Sequence, residues 1–391
     1  MTQALVVALA VGIGLPLYSY AAYPALLWLM GRFRPAPKRP HVEAWPTLSI
    51  SVPVYNESAQ IRDLLDSLLA LDYPRDRLQI VVVSDASDDG TDAIVEEYAD
   101  RGIELFRQPE RRGKTAAENA VRSRLTGDIV VNTDASIRIP PPSLKRLVAW
   151  FEDPGVGLVS GRDLSVGRAS GDRNAGESGY VGYEMWVRDL ETRMGGIVGA
   201  SGCFYAIRSQ LHNELVPAAL SRDFAAAMIT RERGFRAISE PQAVCFVPRT
   251  RDLRREYVRK VRTMTRGMET LFFKRHLLNP LRFGLFGWKL FSHKICRWLT
   301  PWGVVAMLAG LAAVSPQVPA ARLVLILAAA PVVATVAALR WPEGRPAPRP
   351  ISMLAFAVLG NVAALQATLA ALRGELNPVW EPTRRDAVTQ A

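Results

Sequence analysis

Four long apolar stretches constrain the fold of this 391-residue chain more than any other feature of its sequence. A helix needs about 20 apolar residues to cross the hydrocarbon core of a bilayer. On that basis the sequence predicts membrane spans at residues 1–31, 299–315, 321–338 and 351–372. The first stretch is long and begins without a basic residue, which favours an uncleaved anchor over a cleaved signal peptide.

The positions of the basic residues predict how the chain is oriented in the membrane. A proline-rich linker at residues 32–46 follows the first span and carries four basic side chains, Arg32, Arg34, Lys38 and Arg39. Basic residues that flank a span mark its cytoplasmic side, so the region after the first span is expected in the cytoplasm. Four spans place the tail, residues 373–391, outside, whereas a re-entrant or interfacial C-terminal segment places it inside.

Residues 251–298 are expected to form basic amphipathic helices on the membrane surface. Residues 251–297 hold 13 Lys and Arg and 3 acids, a difference of +10 out of a net charge of +11. Apolar residues recur there at helical spacing, which is typical of a helix on anionic headgroups, although a solvated basic face is the alternative. His293 is interpreted as a headgroup-level anchor. Nucleic acid is excluded as a partner because no recognisable binding module is present.

Residues 47–250 are predicted to form a soluble α/β domain. Runs rich in β-branched residues predict strands at 47–54, 78–83, 103–106 and 128–132, with helices between them. This alternation predicts βαβ units and a mostly parallel central sheet. Ligands of such sheets bind beyond the carboxyl ends of the strands, which selects the loops at 53–57, 84–90 and 133–136.

The selected loops are acidic and contain no glycine-rich phosphate loop. Asp85, Asp88 and Asp89 follow one predicted strand, and Asp134 follows another. Carboxylates at strand ends suit Mg²⁺ or Mn²⁺ on a diphosphate, because both ions prefer oxygen ligands. Asp88 and Asp89 are equally well explained as turn or helix-capping residues. Asp134 interrupts the end of an apolar strand, which favours a functional role.

Four motifs occur in a recognisable order in this domain. They are 52–57 (VPVYNE), 82–91 (VVSDASDDGT), 112–114 (RGK) with Asn119, and 132–134 (NTD). Together they resemble the nucleotide half of a family 2 glycosyltransferase with the GT-A fold, over about residues 47–300. With its flanking spans the chain is similar to the membrane-bound branch, which includes hyaluronan, chitin and poly-N-acetylglucosamine synthases. The resemblance implies a GT-A nucleotide-diphospho-sugar transferase domain flanked by transmembrane and interfacial helices.

The resemblance implies a donor site for a nucleotide sugar, with a UDP-sugar as the expected donor. Tyr55 would stack on the uracil ring, Asp85 would accept a ring N–H, and Glu57 would orient the ribose or support the loop. Lys114 would contact the nucleotide or its diphosphate. The implied substrate-binding residues on this side are Pro53, Tyr55, Glu57, Asp85, Lys114 and Thr133.

A metal site is also implied by the resemblance. Asp134 would hold Mg²⁺ or Mn²⁺ on the diphosphate of the donor. Asn132 stands where the D-x-D motif of the family has its first acid, and it still offers a carbonyl oxygen. Asp134 and Asn132 are therefore the implied metal ligands.

Two further segments resemble the acceptor half of the family. Residues 199–208 (GASGCFYAIR) resemble its small-residue acceptor floor, where Ser201 and Gly202 would contact substrate. Ser221-Arg222-Asp223 matches the T-E-D element of the family at its last acid, which makes Asp223 the candidate general base. The alternative is that Asp223 caps a helix at 224–232.

Residues 259–263 (RKVRT) match the Q-x-x-R-W element of processive members only weakly. Arg262 holds the arginine position and would neutralise the leaving diphosphate, and Arg259 is implied to bind substrate. Thr263 replaces the tryptophan that floors the acceptor channel, which speaks against processive synthesis.

The sequence thus predicts a multi-pass enzyme of the inner (plasma) membrane with a cytoplasmic catalytic domain. It would transfer a sugar with inversion from a nucleotide sugar to a growing polysaccharide or lipid-linked glycan. Transfer of a single sugar to a polyprenyl-phosphate-type acceptor is one alternative. A catalytically degenerate membrane scaffold is another, given Asn132, Arg222 and Thr263. The sugar, the linkage and the oligomeric state are left open.

Overall fold

The structure is a computed structural model that describes residues 2–35, 37–166, 175–248, 253–342 and 347–375. A seven-stranded sheet forms its centre, in the order β3-β2-β1-β4-β6-β5-β7. The strands are β1 Leu48–Val54, β2 Leu78–Ser84, β3 Ile103–Arg107, β4 Ile129–Thr133, β5 Val156–Val166, β6 Phe204–Arg208 and β7 Arg236–Pro248. Strand β1 is parallel to β2 and β4, whereas β6 is antiparallel to β4 and β5.

Helices alternate with the first strands and then make up most of the chain after β7. In chain order they are α1 Thr2–Leu17, α2 Tyr23–Gly31, α3 Ile61–Leu69, α4 Thr91–Glu96, α5 Lys114–Val121, α6 Ser143–Val148, α7 Ala175–Arg193, α8 Ser209–His212, α9 Arg222–Glu232, α10 Leu253–Phe273, α11 Pro280–Phe283, α12 Leu285–Leu290, α13 Cys296–Val314, α14 Pro319–Leu339 and α15 Arg349–Leu372. The π-helical turn Tyr18–Ala22 joins α1 to α2, and the π-helical turn Phe291–Ile295 joins α12 to α13.

The sheet is covered on both faces, which confirms the predicted α/β class. Ile50 and Val52 of β1 face a cluster that contains the buried leucines of α3. Val81 and Val83 of β2 face the opposite side, where they pack on α5. This alternation follows from the period of two along a strand, and it explains the near-continuous apolar runs of the first strands. The four strands predicted from those runs are all confirmed.

Four of the described helical segments are long and apolar enough to cross a membrane. They are Gln3–Gly31, Leu285–Val314, Pro319–Leu339 and Arg349–Leu372. The second begins at Leu285 rather than at residue 299, and it includes basic residues that the fold turns inward. Lys289, for example, is buried and donates to the backbone carbonyls of Met194 and Gly196. The predicted location of the tail concerns residues that lie mostly outside the described ones.

The interpretation of His293 as a headgroup-level anchor is wrong. Its side chain is buried, with Nε2 2.8 Å from Glu184 and Nδ1 2.7 Å from Glu191. Both glutamates belong to α7, which lies between β5 and β6 in the chain. Burial raises the pKa of Glu191, but His293 and Lys289 outweigh that effect and lower this pKa to about 2. A buried polar network therefore joins α7 to the helix Leu285–Val314.

Candidate active site

The direction of β6 brings the acceptor-side residues to the carboxyl edge of the parallel strands. Because β6 is antiparallel to β4, Phe204 at its start pairs with Thr133 at the end of β4. Residues 199–203, which we call the acceptor loop, precede β6 and lie at the same edge. The backbone N–H of Asp134 donates to the Cys203 carbonyl over 3.3 Å. The strand ends and the acceptor loop therefore form one site.

Lys114 and Asp134 form an ion pair at the centre of this edge. The Lys114 Nζ lies 2.5 Å from Asp134 Oδ1 and 3.4 Å from the carbonyl oxygen of Gly202. Burial lowers the pKa of Lys114, but Asp134 and Glu118 outweigh it and raise this pKa above its usual value. Lys114 therefore stays charged, and it is placed to meet an anionic group next to Asp134.

Asp223 lies next to the same glycine, at its Cα. Helix α9 begins at Arg222 with Ser221 in the N-cap position, so the interpretation of Asp223 as the capping residue is wrong. The Ser221 hydroxyl donates to Asp223 Oδ1 over 2.6 Å. A Cβ on Gly202 would lie 2.7 Å from Asp223 Oδ2, closer than carbon and oxygen approach each other. Glycine at position 202 therefore lets the Asp223 carboxylate rest against the acceptor loop.

The side chains at the end of β4 fit a divalent cation that also binds substrate. The described residues contain no group of three His, Cys, Asp or Glu side chains suited to a metal. Asp134 is partly exposed, and neither polar atom of the buried Asn132 side chain has a hydrogen-bond partner among the residues that the structure describes. Mg²⁺ is usually held by one or two carboxylates together with substrate phosphates. One carboxylate and one amide oxygen are therefore a suitable protein contribution.

Asp85 fixes the loop that leads into α5. Its buried carboxylate accepts hydrogen bonds from Gln108 Nε2 at 2.7 Å and from the backbone N–H groups of Arg112 and Gly113 at 2.8 Å. A carboxylate has about four acceptor positions, so one remains for a ligand. Asp85 thus lies at the expected strand end but already has three bonds.

Tyr55 follows β1 directly and presents its ring next to this loop. The Arg111 guanidinium lies 3.8 Å from the centroid of the Tyr55 ring, in a cation–π contact. Pro53 and Thr133 are buried strand residues, and the Thr133 hydroxyl has no hydrogen-bond partner among the described residues. The structure brings these residues to one edge, as the sequence predicts, whereas Arg111 was not foreseen.

The remaining acids of the first two loops hold the loops together. Asp88 Oδ1 accepts from Asn56 Nδ2 over 2.7 Å, and Asp89 Oδ2 accepts from the backbone N–H of Ser58 over 3.0 Å. Asp89 Oδ1 also accepts from the backbone N–H of Thr91 over 3.0 Å, which agrees with the turn interpretation of Asp89. Glu57 is buried, and its side chain accepts from Gln60. The position of Glu57 therefore agrees better with loop support than with an exposed contact.

Ser201 is hydrogen-bonded to a half-buried acid, Asp163, that the sequence did not reveal. Its hydroxyl donates to Asp163 of β5 at 2.6–2.7 Å, and its backbone N–H donates to Ser160 Oγ at 2.9 Å. Burial raises the pKa of Asp163, although the Ser201 hydrogen bond acts against this. Polar residues interrupt the apolar pattern of β5, and for that reason the strand and its acid were not predicted.

The arginines of α10 differ in their distance from the site. Arg259 makes a bidentate pair with Glu256 of its own helix at 2.7 and 2.8 Å. Arg262 is half-buried one turn further along. Arg266, which the sequence did not single out, reaches Thr115 Oγ1 at 2.9 Å and the Leu220 carbonyl at 2.6 Å. Its four-residue spacing from Arg262 was the available signal.

Glu118 is a second acid that the sequence did not reveal. It is buried one helical turn after Lys114, and burial raises the pKa of its carboxyl group. Arg222, which stands where the family often has an acid, points away from Asp223. It is buried and donates to Asn119 Oδ1 over 2.5 Å and to the His212 carbonyl. Arg222 therefore stabilises the buried structure that supports the site, around Asn119 and His212.

An α/β sheet with charged groups at its carboxyl edge, next to four helices long and apolar enough to cross a membrane, defines an α/β protein with a candidate transferase site. Residues 49–216 match the family model described as Glycosyl transferase family 2. This part of the chain is therefore a glycosyltransferase family 2 domain, and its fold is of the GT-A type.

The solved mannosyltransferase PcManGT from Pyrobaculum calidifontis, in complex with GDP-Man and Mn²⁺, is similar to most of the chain. Its TM-score is 0.72 at 25% identity, covering 94% of this chain and 99% of that one. An N-acetylglucosaminyltransferase of Mesorhizobium japonicum is 29% identical over 226 residues, 52% of each protein. A beta-monoglucosyldiacylglycerol synthase of Synechocystis sp. is 30% identical over 159 residues, which cover 39% of this chain and 33% of the relative. The chain thus spans about half or less of the length of these curated relatives.

Proposed function

We propose that this protein transfers a sugar, with inversion, from a nucleotide sugar to an acceptor at the membrane. The observation that carries the proposal is the meeting of Lys114 and Asp223 at Gly202, one on its carbonyl and one at its Cα. A cation for a diphosphate and a carboxylate for an acceptor hydroxyl thus lie on two sides of one residue. The family 2 domain supports the same reaction.

The reaction follows from the roles of these side chains. The acceptor hydroxyl attacks the anomeric carbon on the side opposite the diphosphate, which inverts that carbon. Asp223 accepts the hydroxyl proton, while Lys114 and Arg262 balance the charge of the leaving nucleoside diphosphate. Asp134 and Asn132 would hold Mg²⁺ or Mn²⁺, which supplies further charge neutralisation of the diphosphate when it is bound.

We propose a UDP-sugar as the donor. Uracil offers one ring N–H, which suits the one acceptor position left on Asp85, and Tyr55 offers a ring for stacking. Pro53, Glu57 and Thr133 complete the proposed donor side. A GDP-sugar is the second candidate, because the similar mannosyltransferase was solved with GDP-Man and Mn²⁺.

We propose that the protein lies in the inner (plasma) membrane with this site in the cytoplasm. Four apolar helices and the basic linker after the first of them support this orientation. The acceptor would be a growing polysaccharide or a lipid-linked glycan. Contacts of Ser201 and Arg259 with the substrate are part of this proposal.

A panel of nucleotide sugars tests the proposal, with the full chain in lipid nanodiscs and release of the nucleoside diphosphate as the readout. Removal of a general base is expected to slow the best reaction by about 10²–10⁴-fold in Asp223→Asn. Asp134→Ala is expected to abolish release, and Asp100→Asn, on the exposed turn before β3, serves as the matched control. Wild-type rates in both site variants would refute the roles given to Asp223 and Asp134, and the absence of release with every donor in the wild type would leave the scaffold alternative.

A further inference from the structure

A half-buried lysine of the helix Leu285–Val314 lies beside the acceptor loop. Lys294 Cε is 3.7 Å from the Cβ position of Gly199, and its Nζ is 5.3 Å from the centroid of the Phe224 ring. Its side chain makes no hydrogen bond or ion pair with any residue that the structure describes. Phe224 directly follows Asp223. The lysine therefore stands at one end of the acceptor loop and the proposed base at the other.

The lysine belongs to an irregular turn at the point where the helix passes the site. Residues Phe291–Ile295 are π-helical, and such turns are frequent at functional sites. Ser292 Oγ lies 2.7 Å from the hydroxyl of Tyr18, in the other π-helical turn. The apolar helix continues from this turn to Val314. A ligand that reaches Lys294 along this helix therefore comes from an apolar environment.

The acids around Lys294 are already engaged by other groups. Glu184 accepts from Arg297 at 2.7 Å and lies 2.8 Å from His293 Nε2. Glu191 accepts from the Tyr23 hydroxyl at 2.5 Å and lies 2.7 Å from His293 Nδ1. The two carboxylates are thus hydrogen-bonded to other side chains, and neither of them is a direct partner of the Lys294 ammonium.

Arg188 adds a second poorly compensated cation beneath the same loop. It is buried, its distance to Glu184 is 3.9 Å, and its contacts to Ser160 Oγ and the Ala200 carbonyl are 3.5 Å long. Burial of charge is unfavourable unless a partner compensates it. Arg188 and Lys294 therefore make the Gly199 end of the acceptor loop suited to an anion.

The anion at this end is separate from the diphosphate of the donor. Lys114 touches the acceptor loop at Gly202, whereas Lys294 touches it at Gly199. Three residues span at most about 10 Å of chain. The acceptor sugar would occupy this interval, between an anion at Lys294 and a hydroxyl at Asp223.

We propose that Lys294, supported by Arg188, binds the phosphate of a lipid-linked sugar acceptor. The inference rests on the proposed function and names its acceptor class. The acceptor sugar hydroxyl forms the new bond to the anomeric carbon, the bond from that carbon to the diphosphate oxygen breaks, and Asp223 takes the proton. The phosphate at Lys294 is unchanged in the reaction.

Binding without any donor tests this site, so its failure is distinguishable from a failure of sugar transfer. The full chain in phosphatidylcholine nanodiscs is titrated with farnesyl phosphate and with farnesol. A charge-assisted contact predicts at least about tenfold tighter binding of the phosphate. Lys294→Gln is expected to remove this preference and Lys294→Arg to keep it, with thermal unfolding showing that both variants are folded. Lys274→Gln is the matched control, because that ammonium pairs with Glu232 at 2.6 Å.

Three outcomes overturn the proposal. Equal affinity for farnesyl phosphate and farnesol shows that the site does not select an anion. An equal loss in Lys274→Gln and Lys294→Gln assigns the preference to the general basic surface. Loss of the preference in phosphatidylglycerol nanodiscs, or on addition of millimolar inorganic phosphate, assigns the site to bulk headgroups or to free phosphate instead of an acceptor.

Discussion

Gly202→Ala perturbs the one residue at which the two halves of the proposed site meet. The new Cβ would lie 2.7 Å from Asp223 Oδ2 and 3.3 Å from Asp223 Cγ. An ordinary contact begins at about 3.5 Å, so the carboxylate has to withdraw by nearly 1 Å. A 1 Å misplacement in a catalytic arrangement costs about 10²-fold in rate. We therefore expect kcat to fall by about two orders of magnitude.

The fold is expected to tolerate this substitution. The φ angle of Gly202 is not among the positive values found at other glycines, so alanine fits its backbone. Release of nucleoside diphosphate gives kcat and the donor KM, and thermal unfolding gives stability. Gly182→Ala in α7 is the matched control, because its Cβ meets nothing within 4 Å. A Gly202→Ala enzyme with wild-type kcat would refute the reasoning that places Asp223 at the reaction centre.

Three further predictions concern the buried network around Glu191, the metal site and the site for the nucleotide base. Glu191→Gln should destabilise the protein by about 3 kcal/mol because it breaks a buried ion pair, whereas Glu97→Gln, in an exposed pair, should cost about 0–1 kcal/mol in thermal unfolding. The folded pKa of Glu191, about 2, lies below its ordinary value of 4.5, so this stability is present above pH 4.5 and lost toward pH 2, and Glu191→Gln should lack that dependence. Chelation should stop nucleoside diphosphate release, and Mg²⁺ or Mn²⁺ should restore it in wild type but not in Asp134→Ala. Tyr55→Ala should raise the donor KM about tenfold while Tyr55→Phe keeps it, because stacking on a base is worth about 1–3 kcal/mol; equal KM values would contradict a stacking role.

The sequence predicts those strands that have apolar surroundings on both faces. Strands β1, β2 and β4 are buried on both faces, so their apolar runs are unambiguous, and the loops that follow them are predicted with them. Strand β5 could not be predicted in this way, because Ser160 and Asp163 bond to Ser201 of the acceptor loop rather than packing on apolar neighbours. Its pattern becomes interpretable only once those partners are known.

The contacts between distant segments could not be predicted either. Gly202 and Asp223 are far enough apart in the chain that no local pattern links them, and their contact depends on the direction of β6 and the start of α9. The prediction for His293 was wrong for the same reason, since the two glutamates that it contacts lie about 100 residues earlier, in α7. A count of charges along the sequence treats Lys289 and Lys294 as surface residues. In the fold, both side chains are turned inward.

The anomeric configuration of the product tests the central claim most directly. The wild-type chain in nanodiscs would be given its best donor and a lipid-linked sugar acceptor, and NMR would record the configuration at the new linkage together with the rate of its formation. The account predicts a single inverted product in the wild type and almost none in Asp223→Asn. A product that retains the configuration of the donor, or an Asp223→Asn enzyme that forms the inverted product at the wild-type rate, would contradict the role given to Asp223.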